Sequence, residues 1–275
     1  MGTKIKQIIN NTFSITHLWG GIVPMQLFGI WAIYNIITGA VPAWWWIAFI
    51  IGFVFMNMVG IGAGYHRLFS HYSFKVSRPI KLFILWCGII SAQGSPFLWV
   101  GVHRGQHHRY SDTDKDPHSP EHGFWHSYIL WMFTIENKSV NLKSIIDLVR
   151  DPDLAFAHKH YSKILWLSHA LVALISIELW FYLMALPAFI TFHAFCLQTS
   201  IVHYKWAGYR NYITKDDSVN VPWLFPFSLG ECWHNNHHGD PGNPNFGRHW
   251  WEIDITYRLI KLMGLSYKSD ALQRK

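Results

Sequence analysis

The chain has 275 residues, of which 51% are apolar and only 14% charged, and it carries 16 tryptophans and 19 phenylalanines. Average usage is about 25% charged, so the composition excludes an ordinary soluble domain and points to an integral membrane protein. The net charge is +7, but the cations sit in loops beside apolar runs, as the positive-inside rule expects, which argues against a nucleic-acid partner. Cys87, Cys196 and Cys232 show no CxxC spacing, so neither a disulfide framework nor a thiolate metal site is indicated.

A first span is predicted from His17 to Ile37. Lys4 and Lys6 precede it and no small-residue cleavage site follows, so it reads as retained rather than as a cleaved signal. Thr38 to Pro42 is an uncharged turn. A second span runs from Ala43 to Ala63, with Trp44, Trp45 and Trp46 at its entry, where an aromatic belt is expected. No charged residue occurs between Gln7 and His66, enough chain for two spans of about 20 residues. The apolar segment Ile80 to Val100 is different. A single crossing there would put the bilayer between His66 and His103, and Gly88, Gln93, Gly94 and Pro96 weaken it as a lipid-exposed helix. It is predicted to lie at the interface or to re-enter without crossing.

Residues 109–163 are mixed and polar and read as a partly helical cap. The charge rule places this face in the cytoplasm, because Lys4, Lys6, Arg67, Lys75 and Arg78 share it. Third and fourth spans are predicted from Ile164 to Met184 and from Leu186 to His203, with the turn at Pro187. His169, Glu178 and His193 fall inside them, where an ionisable group is either functional or bonds one helix to another. Four crossings bring both termini to the cytoplasmic face. Trp250 to Leu265 reads as an amphipathic helix resting on the membrane or the cap. No repeat or linker divides the chain. The expected fold is therefore one all-α integral membrane domain over residues 1–275, with four transmembrane helices and a cytoplasmic helical cap.

Three histidine clusters organise this frame: His66 and His71; His103, His107 and His108; His234, His237 and His238. His203 ends the fourth span. A lone histidine is usually a packed or solvated side chain, but clusters of this form are not random. Neutral imidazole is the commonest metal ligand, and nine histidines exceed what one metal needs, so two metals are expected. In the third cluster the spacings of three and four allow all members to converge on one side of a helix. In the first, a separation of five turns through roughly 140° of an α-helix, so either the helix ends between the two histidines and they share a face, or they serve different metals. In the second, His103 and His107 align and His108 swings away, which predicts a helix end or a π-bulge. Asp112, Asp114, Asp116, His118, His122 and His126 follow closely and are candidates to orient metal-bound imidazoles, the alternative being a solvated loop.

His66-Arg-Leu-Phe-Ser-His71, the His103 to His108 cluster with Tyr110-Ser-Asp-Thr-Asp-Lys-Asp-Pro-His118, and Gly230-Glu-Cys-Trp-His-Asn-Asn-His-His238 together resemble the membrane-bound fatty acyl desaturases, over nearly the whole chain. The likeness is greatest to the stearoyl-CoA desaturase branch and its bacterial relatives. The resemblance implies two iron ions held by His66, His71, His103, His107, His108, His203, His234, His237 and His238. It also implies O2 as co-substrate and a cis double bond at the delta-nine position. No motif suggests a fused haem or iron–sulfur donor domain, so a separate electron donor such as a cytochrome b-type protein, ferredoxin or rubredoxin is expected. Thr199, Asp112, Asp116, His118, Asn235 and Asn236 are candidates for the layer around the ligands. Arg104, Arg109, Arg210 and Arg248 are candidates to dock an acidic donor.

The chain departs from the family pattern at several places. The second cluster has three residues between His103 and the pair, where the family has two. Thr199 stands where the family often has an asparagine. Gly101, Val102, Ile135 and Glu136 stand where the animal enzymes have residues that hold coenzyme A, which leaves acyl-CoA, an acyl lipid and an acyl-carrier protein open as carriers. A membrane di-iron hydroxylase is the alternative enzyme. A non-enzymatic metal-binding or transport protein is the alternative from another class.

Overall fold

The long uncharged runs form helices, because in lipid only a backbone that satisfies its own polar groups is stable. The computed structural model describes residues 13–134 and 142–263. Among these residues its regular structure is helical, joined by turns and loops, with isolated bridges that pair Asn220 with Tyr209 and with Trp233. A π-helical stretch, Phe13–Ile22, runs into α1, Val23–Ile37. Helix α2, Trp45–Phe53, continues as a π-helical stretch, Val54–Ser70. Helix α3 is Arg78–Ile90, and α4, Pro96–Val102, continues as π-helical His103–His107. Helix α5 is Tyr161–Ile175. Ile177–Trp180 and π-helical Phe181–Ala185 lead into α6, Leu186–Ile201. Two short helices follow, α7, His234–Gly239, and α8, Ile255–Leu262. Lys4, Lys6, Ile135, Glu136 and Leu265 lie outside the described residues.

Among the described residues, three helices are long and apolar enough to cross a membrane: His17–Ile37, Trp45–Ser70 and Ile177–Ile201. Tyr161–Ile175 is apolar but shorter. These helices expose Leu27, Ile37, Leu171 and Leu174 on one side while burying Met25, Met56, Leu165 and Ala188 on the other. Apolar side chains all round are what a helix between lipid and core requires.

The turn between the last two apolar helices lies at Ser176, not at Pro187. Ser176 is extended (φ −160°, ψ 129°) and its hydroxyl accepts from Leu179 N–H, capping the next helix. Pro187 sits inside the continuous helix Ile177–Ile201. Its ring cannot donate to Leu183 O, four residues back. The π-helical turn just before it absorbs the misfit, and Gly52 of α2 packs against that carbonyl so closely that a Cβ there would stand 2.1 Å from it. The shift also moves Glu178 out of mid-span. It is exposed in the first turn after the break, where the helix dipole favours an anion. His169 and His193 do bond element to element: His169 to Ile90 O (3.0 Å) and Trp180 Nε1 (3.1 Å), His193 to Tyr128 Oη (2.7 Å).

The segment 80–100 is not one helix. It breaks over Ser91–Ser95, where Ala92 and Gly94 have φ of 58° and 99°, and Ser95 caps α4. Helix α3 packs closely along the π-helical end of α2, because Gly60 leaves room for the Cys87 backbone; a Cβ at Gly60 would lie 2.5 Å from it. Backbone cannot move aside as a side chain can. We expect Gly60→Ala to cost about 1–3 kcal/mol as an overpacked contact. An unchanged melting temperature in detergent would refute the close contact. The cap is tied to the start of α3 by Lys81, paired with Asp151 (2.6 Å) and Asp153 (2.9 Å).

Candidate metal centre

The nine histidines named from the sequence converge into two adjacent groups, each able to hold a metal ion. One contains His66, His71, His103, His108 and His237; the other contains His107, His203, His234 and His238. The division cuts across the sequence clusters. His103 and His107, expected to act together, belong to different groups. His103 shares with His108 instead, its Nε2 lying 3.1 Å from the His108 Nε2. The reason is the π-helical turn His103–His107, which takes in one extra residue and so brings positions five apart onto one face. It thereby absorbs the third intervening residue of that cluster. The first cluster uses the other predicted device. The helix ends at Ser70, and His71 (φ −115°, ψ −8°) turns back beside His66, with ring centroids 5.3 Å apart. In the third cluster His234 and His238 share one group and His237 faces the other.

The ring orientations are set from outside. His107 Nδ1 donates to Asp116 (2.8 Å), His238 Nδ1 to Asp216 (2.8 Å), His203 Nδ1 to Asp112 (3.1 Å), and His66 Nδ1 to Glu231. A proton on Nδ1 leaves a lone pair on Nε2, and the Nε2 atoms are the ones that converge. Those of His66 and His237 lie 3.0 Å apart, those of His71 and His103 3.0 Å, and those of His108 and His237 2.9 Å. In the second group the Nε2 atoms of His203 and His234 are 3.2 Å apart, and the Nε2 atoms of His107 and His238 are buried without a hydrogen-bond partner. Converging buried lone pairs are costly unless a cation lies among them. Carboxylate-held imidazoles around a common point are the arrangement that metal sites use. The residues therefore fit a pair of metal ions.

Burial, reinforced by neighbouring imidazoles, pushes His71, His103, His108, His234 and His237 well below the usual histidine range, and His238 down to about 3. Burial opposes ionisation of Asp112, Asp116, Asp216 and Glu231, but their histidine and arginine partners outweigh it and hold all four below the usual carboxylate range. His203 goes the other way: burial lowers it, but Asp112 leads the carboxylates that raise it. A histidine depressed in the folded state takes up its proton first in the unfolded chain, so stability drops as pH falls below the unfolded value. The melting temperature of chelator-treated protein should therefore fall from about pH 7 to about pH 5. A flat profile would contradict the buried neutral array.

The remaining sequence candidates divide clearly. His118 is buried, packs at a tilt against His107 (4.6 Å between centroids) and lies 3.5 Å from Asp116. Asn235 and Asn236 do not face the histidines. Asn235 Oδ1 accepts from the N–H groups of Asn211 and Tyr212 (both 2.8 Å), and Asn236 bonds Asn220, Asn211, Phe246 O and Glu252. They pin the loop that carries α7. Thr199 turns its hydroxyl back to Phe195 O and Cys196 O (3.1 Å each). Asp114 and His122 face each other at 3.7 Å near the surface, and His126 bonds Pro117 O (3.0 Å).

An apolar cavity reaches the first histidine group. Leu18, Ile22, Leu98, Trp99, Phe192 and Phe195 line it, with His103, His118 and Thr199 at the metal end. Trp99 lies over His103 at 5.0 Å. An all-histidine pair of metal groups closing a greasy cavity within membrane-length helices suits oxidation of a long hydrocarbon. Residues 41–269 match the family described as fatty acid desaturase.

The chain belongs to the fatty acid desaturase family.

Desaturases are oxidoreductases, and several relatives cover most of this one. It is 36% identical over 230 residues to delta-9 acyl-lipid desaturase 2 of Arabidopsis thaliana, covering 80% of this chain and 74% of that protein. It is 33% identical over 231 residues to sn-1 stearoyl-lipid 9-desaturase of Anabaena variabilis, covering 79% and 80%. It is also 32% identical over 231 residues to icosanoyl-CoA 5-desaturase of Limnanthes douglasii, covering 79% of this chain and 62% of that protein.

Reading the sequence of this desaturase missed the groups that brace its site. Arg67 is not a loop cation marking the cytoplasmic side. It is fully buried, bonding Glu231 Oε1 through Nε (3.1 Å) and Nη2 (2.7 Å), Asp254 Oδ2 (2.8 Å) and Pro244 O (2.7 Å). Glu231 joins Arg67 to His66, and Asp216 holds His238. Arg104 and Arg248, expected to face a donor, are engaged instead. Arg104 bonds Asp147 (2.8 Å) and main-chain carbonyls, and Arg248 bonds Tyr212 Oη (2.8 Å) and Asp240 (3.4 Å). Arg109 and Arg210 remain exposed.

Proposed function

We propose that this protein is an O2-dependent acyl-lipid desaturase that places a cis double bond at the delta-nine position of a saturated chain, using two iron ions held by the nine histidines. The observation that carries the reading is the apolar cavity ending on His103. The relatives named for acyl-lipid substrates support a lipid carrier, and so does the absence of the coenzyme-A residues at Gly101 and Val102. Iron in place of zinc is supported by the family and by the ligand number: the first group offers five histidines, one more than tetrahedral zinc takes.

A saturated methylene has no acidic proton and no leaving group, so side-chain acid–base chemistry has nothing to act on. The bound irons supply the O2 reduction and redox power that the step needs. Two CH2 groups, O2, two electrons and two protons become one CH=CH and two waters. The protein binds, orients and excludes water. Each methylene held against the cavity wall adds about 0.8 kcal/mol, so Leu18, Ile22, Phe192 and Phe195 grip the chain without a polar contact. Trp99 braces His103 and narrows the cavity at the metals. The carboxylates keep Nδ1 protonated and Nε2 free for the metal.

The membrane arrangement belongs to the same proposal. His17–Ile37, Trp45–Ser70 and Ile177–Ile201 cross the bilayer, α5 crosses as the short fourth span, and α3 and α4 turn back without crossing. The histidines and both termini then face the cytoplasm.

The test is the fatty-acid profile of a host expressing the chain beside a His107→Ala, His108→Ala double variant. A new delta-nine monounsaturated acid in lipids that disappears in the variant is the expected result. A hydroxylated acid would replace the reading with that of a hydroxylase. No lipid change with folded, iron-loaded protein and a competent reductant would remove the acyl substrate.

A further inference from the structure

Six of the nine histidines are buried, and His71, His108 and His238 are partly exposed, the last through its backbone because its side chain is only 1% exposed. All three line one surface depression, together with Ile213, Lys215 and Pro241. It therefore opens onto the first metal group through His71 and His108. A ligand imidazole is bonded directly to its metal, so an exposed imidazole edge is the shortest route from solvent to that metal. Asp216 stands in the wall of the depression and also holds His238 Nδ1 (2.8 Å).

The rim is suited to a protein. Ile213 is 105% exposed, more than any other large apolar side chain among the described residues. Cations cluster beside it. Lys215 Nζ donates to Arg109 O (3.1 Å), and the charges of Arg109 and Lys115 lie 5.3 and 5.5 Å from the Tyr110 ring. All three are exposed, and among the described residues none has a carboxylate partner. The acids on the same loops are engaged: Asp112 with His203, Asp216 with His238 and Asp217 with Lys205 (3.0 Å). Asp114, exposed on the same turn, faces His122.

We propose that this depression is the docking site of a small acidic one-electron carrier protein, which seats on Ile213 and delivers electrons through His71 and His108. The inference rests on the desaturase reading, whose chemistry consumes two electrons for each double bond. An apolar contact ringed by unpaired cations gives the carrier a central anchor and an attractive field, and charges on such a rim act chiefly on association rate and its salt dependence.

The test compares wild type, Ile213→Asp, Lys215→Glu and a control, Lys163→Glu, an exposed cation on α5 that does not line the depression. Each is driven either by dithionite or by one of two acidic carriers, a reduced ferredoxin and a soluble cytochrome b-type domain. The expected result is carrier-driven turnover reduced about tenfold or more in the first two variants, with a flatter salt dependence in Lys215→Glu. Their dithionite-driven single turnover and iron content should match wild type, and Lys163→Glu should be unaffected throughout. Carrier-driven rates unchanged in both variants would overturn the site. So would an equal loss with dithionite, which would mean that the metal centre itself was disturbed. Wild type that desaturates with dithionite but accepts electrons from neither carrier would overturn an acidic partner. Wild type that desaturates with neither reductant would instead refute the desaturase reading.

Discussion

Glu231→Gln should lower metal affinity by about 10–100-fold and destabilise the fold by about 3–5 kcal/mol. The carboxylate is buried and does two things at once. One oxygen accepts from His66 Nδ1, while the other accepts from Arg67 Nε and Nη2 at 3.1 and 2.7 Å. An amide keeps the shape but not the charge, so Arg67 would face Asp254 alone, and only one amide oxygen would remain to serve two donors. Both Arg67 and Asp254 are enclosed, and the guanidinium lies 3.9 Å from the Phe246 ring, so water cannot make up the loss. Removing one member of a buried ion network is expensive because the others stay buried and unpaired.

The cost is therefore expected to depend strongly on context. Arg67→Met alone should be comparably damaging. Arg67→Met combined with Glu231→Gln should cost clearly less than the sum of the two, since contacting sites couple by about 0.5–3 kcal/mol. The measurements are unfolding of chelated protein in detergent and iron content after dialysis against a graded chelator. If Glu231→Gln retained iron and its melting temperature, the network would be incidental to the site. Gly230 is part of the same construction. Its φ is +125°, and a Cβ there would lie 2.4 Å from Asp254 Oδ1. Glycine at this position lets the chain carry Glu231 past Asp254 toward Arg67.

Much of the centre was legible because histidine spacing is a local property. The separation of five from His66 to His71 pointed to a helix end, and the misaligned His108 to a helix end or a π-bulge; each cluster shows one of the two. The division into groups was not legible. Which imidazole joins which metal depends on how the ends of α2 and α4 meet α7, and no spacing within one cluster records that. His103 and His107 illustrate the point: ideal α-helical neighbours in sequence, they serve different groups.

The bracing carboxylates were hidden for a different reason. Glu231 lies among residues that carried the family resemblance, but it gives no periodic signal. Asp216 is one of two adjacent aspartates, and only the loop's path decides that it meets His238 while Asp217 meets Lys205. The misplaced turn shows the limit of proline as a breaker. Pro187 is tolerated because a π-turn precedes it and Gly52 closes over the freed carbonyl, whereas Ser176 breaks the chain with a single capping hydroxyl in an apolar run.

Asp116→Asn and Asp216→Asn should each weaken metal binding by about 10–100-fold, and the double variant should lose the metal of the second group in preference to that of the first. Both carboxylates hold histidines of the group formed by His107, His203, His234 and His238. That group has four imidazoles where the first has five. Its affinity therefore leans more heavily on ring orientation and basicity. An asparagine can still accept from Nδ1, but it brings no charge to raise the basicity of the ring. It can also turn its NH2 toward Nδ1, which would favour the tautomer with the proton on Nε2, pointing at the metal. Iron content should fall toward one ion per chain, with the first group still filled. Asp153→Asn, whose carboxylate pairs with Arg78 and Lys81 away from the histidines, should leave iron content unchanged. Loss of both ions together would mean that the two groups fill cooperatively, and retention of both would show that the carboxylates do not orient the rings.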